Sequence, residues 1–526
     1  MWSYVQYRRI ERDLQLAIER QSKIARSQKD QKSYSNDVEA PRANSYPLNT
    51  LYSKENGQAV GGRSENRIVI HVESGDDPLD PKNWPLTARC KNIAIPSFPI
   101  FTQAWVGAAE SMANKTASAE FGVSQVAKNL STAMYLFGIG SGALLAGPLS
   151  KTVGRNPTYL VSTFCYLFFV LGSALTPTFG SQIACRFLIG LFSSATLSIN
   201  GSSVRDQFRP VKRAFAFPII AWANVAECAV VDNYAPAIAL VAGGWIVSNP
   251  NLSWRWTEWV TLVISSLAFL ISFLPFLPET GDSRYVSEHA EADSFIRRLR
   301  HVAPLPAKFL TQEPVVAVLG GYLILLYVLL FTFLSGFDYI FRETYGLSTT
   351  LTGSCFASIA AGATFFTLLA PGLYSWARCK TEFVRGSSIE PEFRLWPAIV
   401  AAPLLPISLF WLGWGDQPSI SLWCNLGACF VFGMVIIAIY VSTYEYIIDS
   451  YGDHAAIGLA SITILRYLVS GGMVMAVRPM YKGIGTHWTM TLLGCISVIL
   501  LPAPLAFWRY GRKLRSKSPY AEGPDE

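Results

Sequence analysis

Between residues 92 and 508 the chain breaks into about twelve apolar stretches of roughly 20 residues, the length a helix needs to cross a bilayer's hydrocarbon. Inside lipid every backbone N–H and C=O must be satisfied within the protein, which leaves helices or closed barrels, and continuous apolar runs of this length select helices. Only 15% of residues are charged and 51% are apolar, so neither a disordered chain nor an ordinary soluble enzyme fits. The expected fold is all-α, a polytopic membrane protein with twelve transmembrane helices in two six-helix bundles. The spans are expected at about 92–110, 130–149, 158–178, 182–203, 214–246 with an interruption, 257–277, 315–337, 350–373, 397–415, 420–440, 454–476 and 488–507.

The expected organisation is a polar, largely disordered tail (1–91), a first bundle (92–278), a central loop (279–313), a second bundle (314–507) and a basic tail (508–526). The first tail lacks the layout of a secretory leader and is expected in the cytosol. Within it, Arg8 to Ala25 carries Ile10, Leu14, Ile18 and Ile24 at the spacing of a short amphipathic helix. With that tail inside, the positive-inside rule is met. Inner loops hold Lys151 and Arg155, then Arg205, Arg209, Lys212 and Arg213, then Arg378, Lys380, Arg385 and Arg394, whereas Lys115, Lys128, Arg255 and Arg478 are scattered over the outer side. Asn114 and Asn251 are Asn-x-Ser/Thr acceptors on that outer side; Asn129 also matches, at a span edge.

The nine cysteines form no CxxC pair and the five histidines are dispersed, so no metal site is expected and no cofactor is implied. The net charge of +7 requires no nucleic-acid partner. The expected partners are the lipid bilayer, a small-molecule substrate and protons. One chain supplies both halves of a path, so a monomer suffices.

Several segments resemble the major facilitator superfamily, and within it the fungal twelve-span drug/proton antiporters. GPLSKTVGRNP from Gly147 to Pro157 resembles the signature inner loop, and RFLIG from Arg186 to Gly190 resembles the span-four arginine motif. DPLDPKNWP from Asp77 to Pro85, WRWTEW from Trp254 to Trp259, LPET from Leu277, EPEFRL from Glu390, PISLFWLGW from Pro406, YIIDSYGDHA from Tyr446, Arg466 and WRYGRKLRSKS from Trp508 extend the likeness over about 77–520. Lys151 stands where the family carries an acid, and Asn156 where it carries a base.

Gly147 and Gly154 are expected to bracket a tight inner turn, with Arg155 either latching a helix end or a carboxylate. Arg186 lies inside a span, where an uncompensated charge is expensive, so it faces a cavity or pairs with a neighbouring helix. The resemblance implies a role in proton coupling, and Arg466 makes the same argument in the second half. Gly190 belongs to the same motif. Span five reads APAIALVAGG from Ala235 to Gly244, keeping Pro236, Gly243 and Gly244 of the family's antiporter motif while losing its other proline and glycines. Glu227 and Asp232 precede it, either as proton carriers or as a helix break facing the cavity. Glu445 and Asp449 read as solvated helix-end charges. Tyr327, Phe331, Phe337 and Trp411 either line an apolar pocket or pack the core. GIGSGA from Gly138 is a helix-packing stretch rather than a nucleotide loop.

The expected function is export of amphipathic or apolar compounds (drug, toxin or secondary metabolite) by proton antiport and alternating access, with no bond chemistry. The alternatives are proton-coupled uptake, polyamine transport, or a non-transporting sensor or scaffold using the first tail. The plasma membrane is the expected location, a vacuolar or other internal membrane the alternative.

Overall fold

The computed structural model describes residues 85–153, 155–207, 251–273, 305–380 and 391–516, with isolated positions between and beyond them. Helices α1 (Leu86–Glu120), α2 (Gln125–Val153), α3 (Arg155–Leu175), α4 (Phe179–Gln207) and α5 (Trp256–Phe273) make a first group. After α6 (Leu305–Gln312) come α7 (Pro314–Phe337), α8 (Phe356–Lys380), α9 (Leu404–Gly415), α10 (Leu422–Tyr451), α11 (Ala455–Leu500) and α12 (Ala503–Arg515). Seven helical stretches are long and apolar enough to cross a membrane, as an all-α, multi-pass membrane protein requires. Among the described residues the strands are two-residue pairs, Tyr52–Ser53 with Val69–Ile70 and Val384–Arg385 with Ser388–Ile389.

The first helix corrects the expected boundary near residue 110. It continues to Glu120 through SMANKTASAE, rich in good helix formers, so the loop that follows is only 121–124. Its end is closed by Gly122 at φ 64°, a backbone that a residue without Cβ adopts freely. The Val123 amide donates to Ser118 O at 3.0 Å and the Gly122 amide to Ala119 O at 3.3 Å. Similarly, α10 continues past residue 440 to Tyr451, and the last two expected spans form one helical run broken at Gly485.

Lipid-facing surface is explicit on α3. Val161, Phe164, Phe168, Leu171 and Leu175 are exposed at spacings of three and four, forming one apolar stripe. In water such a stripe is an aggregation hazard, whereas in hydrocarbon it is the solvated face.

The packing reveals a repeat between the halves. On α2 and α4, a Cβ on Gly138 would meet Phe187 O and one on Gly190 would meet Tyr135 O. On α8 and α10, a Cβ on Gly362 would meet Phe430 O and one on Gly433 would meet Ile359 O. In both pairs each glycine lies against the carbonyl three residues before its partner glycine. Such glycines let two helix backbones cross in contact, where dispersion and close polar contacts replace the hydrophobic drive that lipid does not supply.

Candidate transport site

Arg186 lies seven residues into α4, about 10 Å from the helix start at 1.5 Å per residue. Its Nη2 pairs with Glu258 Oε1 near the start of α5, and its Nη1 donates to Val106 O of α1 at 3.2 Å. Both side chains are 2% exposed. Around them Tyr166 OH of α3 contacts Thr102 O at 3.3 Å and Ser265 Oγ at 3.2 Å, and Trp105 Nε1 donates to Thr261 Oγ1 at 3.1 Å. Four helices thus meet over one buried ion pair, the arrangement the cost of a lone intramembrane charge demands. Glu258 was not singled out from the sequence; its signal was being the acidic residue at the head of an apolar span.

WRWTEW is explained by its contacts. Arg255 pairs with Glu120 at 3.0 Å and donates to the α3-terminal carbonyls of Ala174 and Thr176 at 3.1 and 2.9 Å, stabilising the negative helix end. Trp254 Nε1 also bonds Glu120. Lys128, expected as a scattered loop charge, is fully buried; its Nζ donates to Gln182 Oε1 at 2.9 Å and lies 5.4 Å from the Trp254 ring centroid.

Arg466 lies eleven residues into α11 and is fully buried. Its guanidinium carbon stands 4.1 Å from the Tyr327 ring centroid and 5.0 Å from that of Tyr467, and Nη1 donates to Tyr444 OH at 3.0 Å. No ion pair to Arg466 occurs among the described residues. Its environment therefore differs in kind from that of Arg186.

The groups meet along α2 and α11, which pack antiparallel. A Cβ on Gly140 would lie 3.2 Å from Ile464 O, Gly471 accepts the Phe137 ring, and Arg478, midway along α11, bonds Gln125 at the start of α2. This seam runs from the Gln125 end of α2 to mid-helix.

At the opposite end of the second group, Glu445 and Asp449 correct another expectation. They are not solvated: Arg394, fully buried, bonds Glu445 Oε2 at 2.9 Å and Asp449 Oδ2 at 2.7 Å. Arg515 of α12 pairs with Glu392 at 2.6 Å, and Tyr451 OH donates to Glu313 Oε2 at 2.8 Å. EPEFRL, YIIDSYGDHA and WRYGRKLRSKS thereby converge on one polar clamp. Arg394, counted from sequence as a loop charge, is its centre.

Asp416 follows α9 outside the spans, where burial pushes its carboxyl up to about 6 against opposing contacts from Thr344, His487 and Thr486.

Other candidates separate. Tyr327 and Phe331 are neighbours on α7 with ring centroids 6.3 Å apart. Phe337 is fully buried against Phe333, Phe341 and Phe356, stacking on Phe356 at 3.8 Å; it is core, and not part of a shared pocket. Trp411 is 40% exposed on α9, with Nε1 on Cys424 Sγ at 3.1 Å, so it does not join the Tyr327 group. Gly147 lies inside α2 with open space at its Cβ position, not at the turn it was expected to bracket. α2 ends at Val153, and Arg155 opens α3. Gly243 is helical and buried. Gly154, Glu227, Asp232, Pro236 and Gly244 lie outside the described residues, as does the first-tail helix expected over 8–25. Asn114, expected in a loop, is buried within α1 with Nδ2 donating to Asn129 Oδ1 at 3.1 Å, whereas Asn251 is exposed in a turn.

A membrane-buried ion pair, a second buried arginine and two helix groups joined along one seam define a helical transporter class. The family model of the Major Facilitator Superfamily matches residues 93–475, and the chain belongs to that superfamily. Among relatives, the MFS-type transporter kojT of Aspergillus flavus is 37% identical over 86% of this chain and 82% of its own. The citrinin biosynthesis cluster MFS transporter mrr1 of Monascus ruber is 29% identical over 88% and 94%. The proton:xylose symporter XylE matches in fold with a TM-score of 0.61 at 14% identity, covering 81% of this chain and 96% of XylE. The protein is a transporter, not an enzyme, and small molecules are what such proteins handle.

Proposed function

We propose that the protein exports a small organic compound, of the secondary-metabolite or toxin class, by proton antiport and alternating access. The chain crosses the plasma membrane twelve times as two six-helix bundles, with both termini in the cytosol. In this orientation the α2/α11 seam closes the outer half of the central path, and substrate enters from the cytosolic side. Relatives named for the citrinin and ascochitine biosynthesis clusters support the substrate class.

The observation that carries the reading is the Arg186–Glu258 pair. A carboxylate held against a guanidinium in a dry environment is a two-state element. Protonating Glu258 removes the attraction to Arg186 and frees α4 and α5 to shift, while deprotonation restores the pair. A proton arriving from outside thereby biases one conformation, and its release inside biases the other. Glu227 and Asp232 in span five are the further carboxylates available to such a relay, and Gly190 sets the α2–α4 contact on which Arg186 rides.

The test is gradient-driven uptake of apolar, anionic and cationic compounds into vesicles with the cytosolic face outward and an acid interior. Uptake abolished both by gradient collapse and in Arg186→Ala, with normal insertion of the variant, is the expected result. Uptake insensitive to both overturns the coupling assignment.

A further inference from the structure

Arg466 is a permanent cation to which the described residues offer aromatic faces and one hydroxyl but no counter-charge. Its Nε and Nη2 are buried and make no hydrogen bond among the described residues, while Nη1 alone is used by Tyr444. Two other buried arginines, Arg186 and Arg394, face carboxylates. The flanking rings of Tyr327 and Tyr467 come from α7 and α11, and Tyr444 from α10. Ring faces neutralise a cation only in part, because a quadrupole is weaker than a charge. A forked guanidinium with two unused donors matches two acceptor oxygens held in one plane.

We infer that Arg466 with Tyr327, Tyr444 and Tyr467 forms the docking site for the anionic end of the transported compound, and that the compound is a planar organic acid. The proposal rests on the transport reading above and narrows its substrate class. The carboxylate or comparable acidic oxygens take Nε and Nη2, and the planar body lies against the tyrosine faces. The Tyr327 and Tyr467 rings lie over the guanidinium, and an arriving anion shifts them and completes its hydrogen bonding.

The test uses the full chain in lipid nanodiscs and equilibrium binding of radiolabelled benzoate. Benzamide and benzylammonium, which keep the ring and change the charge, serve as competitors. Saturable benzoate binding is expected, weakened at least tenfold in Arg466→Gln, with neither competitor displacing it. Arg466→Lys keeps the charge and loses the fork, so it should bind benzoate several-fold more weakly with the same competitor order. That variant carries the test if Arg466→Gln is not monodisperse. Absence of saturable benzoate binding, equal competition by benzylammonium, or unchanged binding in folded Arg466→Gln overturns the inference. Proton-driven flux of neutral compounds in proteoliposomes made from the same purified protein separates the two proposals. Flux without benzoate binding sinks only the anion site, whereas no flux for any compound sinks the exporter reading.

Discussion

Replacing one member of the Arg186–Glu258 pair should be far more damaging than replacing both. In Glu258→Leu the guanidinium keeps the Val106 carbonyl, at 3.2 Å, and loses its counter-charge; in Arg186→Met the carboxylate is left in surroundings where it was 2% exposed. Breaking a buried pair from one side costs about 3–5 kcal/mol, while exchanging the whole pair for well-packed apolar residues is often neutral or stabilising. Each single variant should therefore lose about 3–5 kcal/mol, and the Arg186→Met/Glu258→Leu double should return to within about 2 kcal/mol of the unaltered protein. The assay is reversible unfolding in mixed micelles by detergent titration, completed as a double-mutant cycle. The double variant should nevertheless fail to couple transport to a proton gradient, because the titrating carboxylate beside position 186 is gone. Additive losses, with the double as unstable as the sum of the singles, would refute the pairing as an energetic unit.

The remaining expectations follow from packing, burial and exposure. Gly190→Val and Gly433→Val each drive side-chain atoms into a facing carbonyl and should each cost about 1–3 kcal/mol or prevent monodisperse folding, measured by thermal unfolding. Gly321→Ala, with open space at its Cβ, is the neutral control. Because burial raises Asp416 to about 6, the folded state holds its proton where the unfolded state has lost it; stability should fall as pH rises from about 4 to about 6, and Asp416→Asn should flatten that slope. With Asn251 on the outer face, the glycosidase-sensitive mobility shift of the protein expressed in a eukaryotic host should vanish in Asn251→Gln and persist in Asn114→Gln, since Asn114 is buried and bonded to Asn129.

The all-α, membrane-spanning class was legible because bilayer thickness imposes one length on every apolar run, which is a strong local signal. The end of α1 was misjudged because polar helix formers after residue 110 resemble a loop in hydropathy yet propagate a helix. Arg186 stood out as a charge inside an apolar stretch, but its partner lies 72 residues away, and no local pattern encodes that distance. Arg394 shows the opposite failure: by position it resembled one more inner-loop cation, and only folding brings it onto Glu445 and Asp449. Gly138 reads from sequence as a helix-packing residue, but its partner does not, for a related reason. Gly190 and Gly433 are single residues whose partners lie on other helices, so the likeness of the halves is visible only as paired backbone contacts. Phe337 and Trp411 share residue type with Tyr327 and Phe331, and hydropathy alone does not separate a packed ring from an exposed one.

The most direct measurement compares two transport modes in proteoliposomes containing Glu258→Gln: substrate counterflow without a gradient, and accumulation driven by a proton gradient. The substitution keeps the shape beside Arg186 and removes the titrating group. Counterflow that persists while gradient-driven accumulation disappears is the result this account predicts. Accumulation at the level of the unaltered protein, collapsing with the gradient, would show that the proton is carried elsewhere and contradict it.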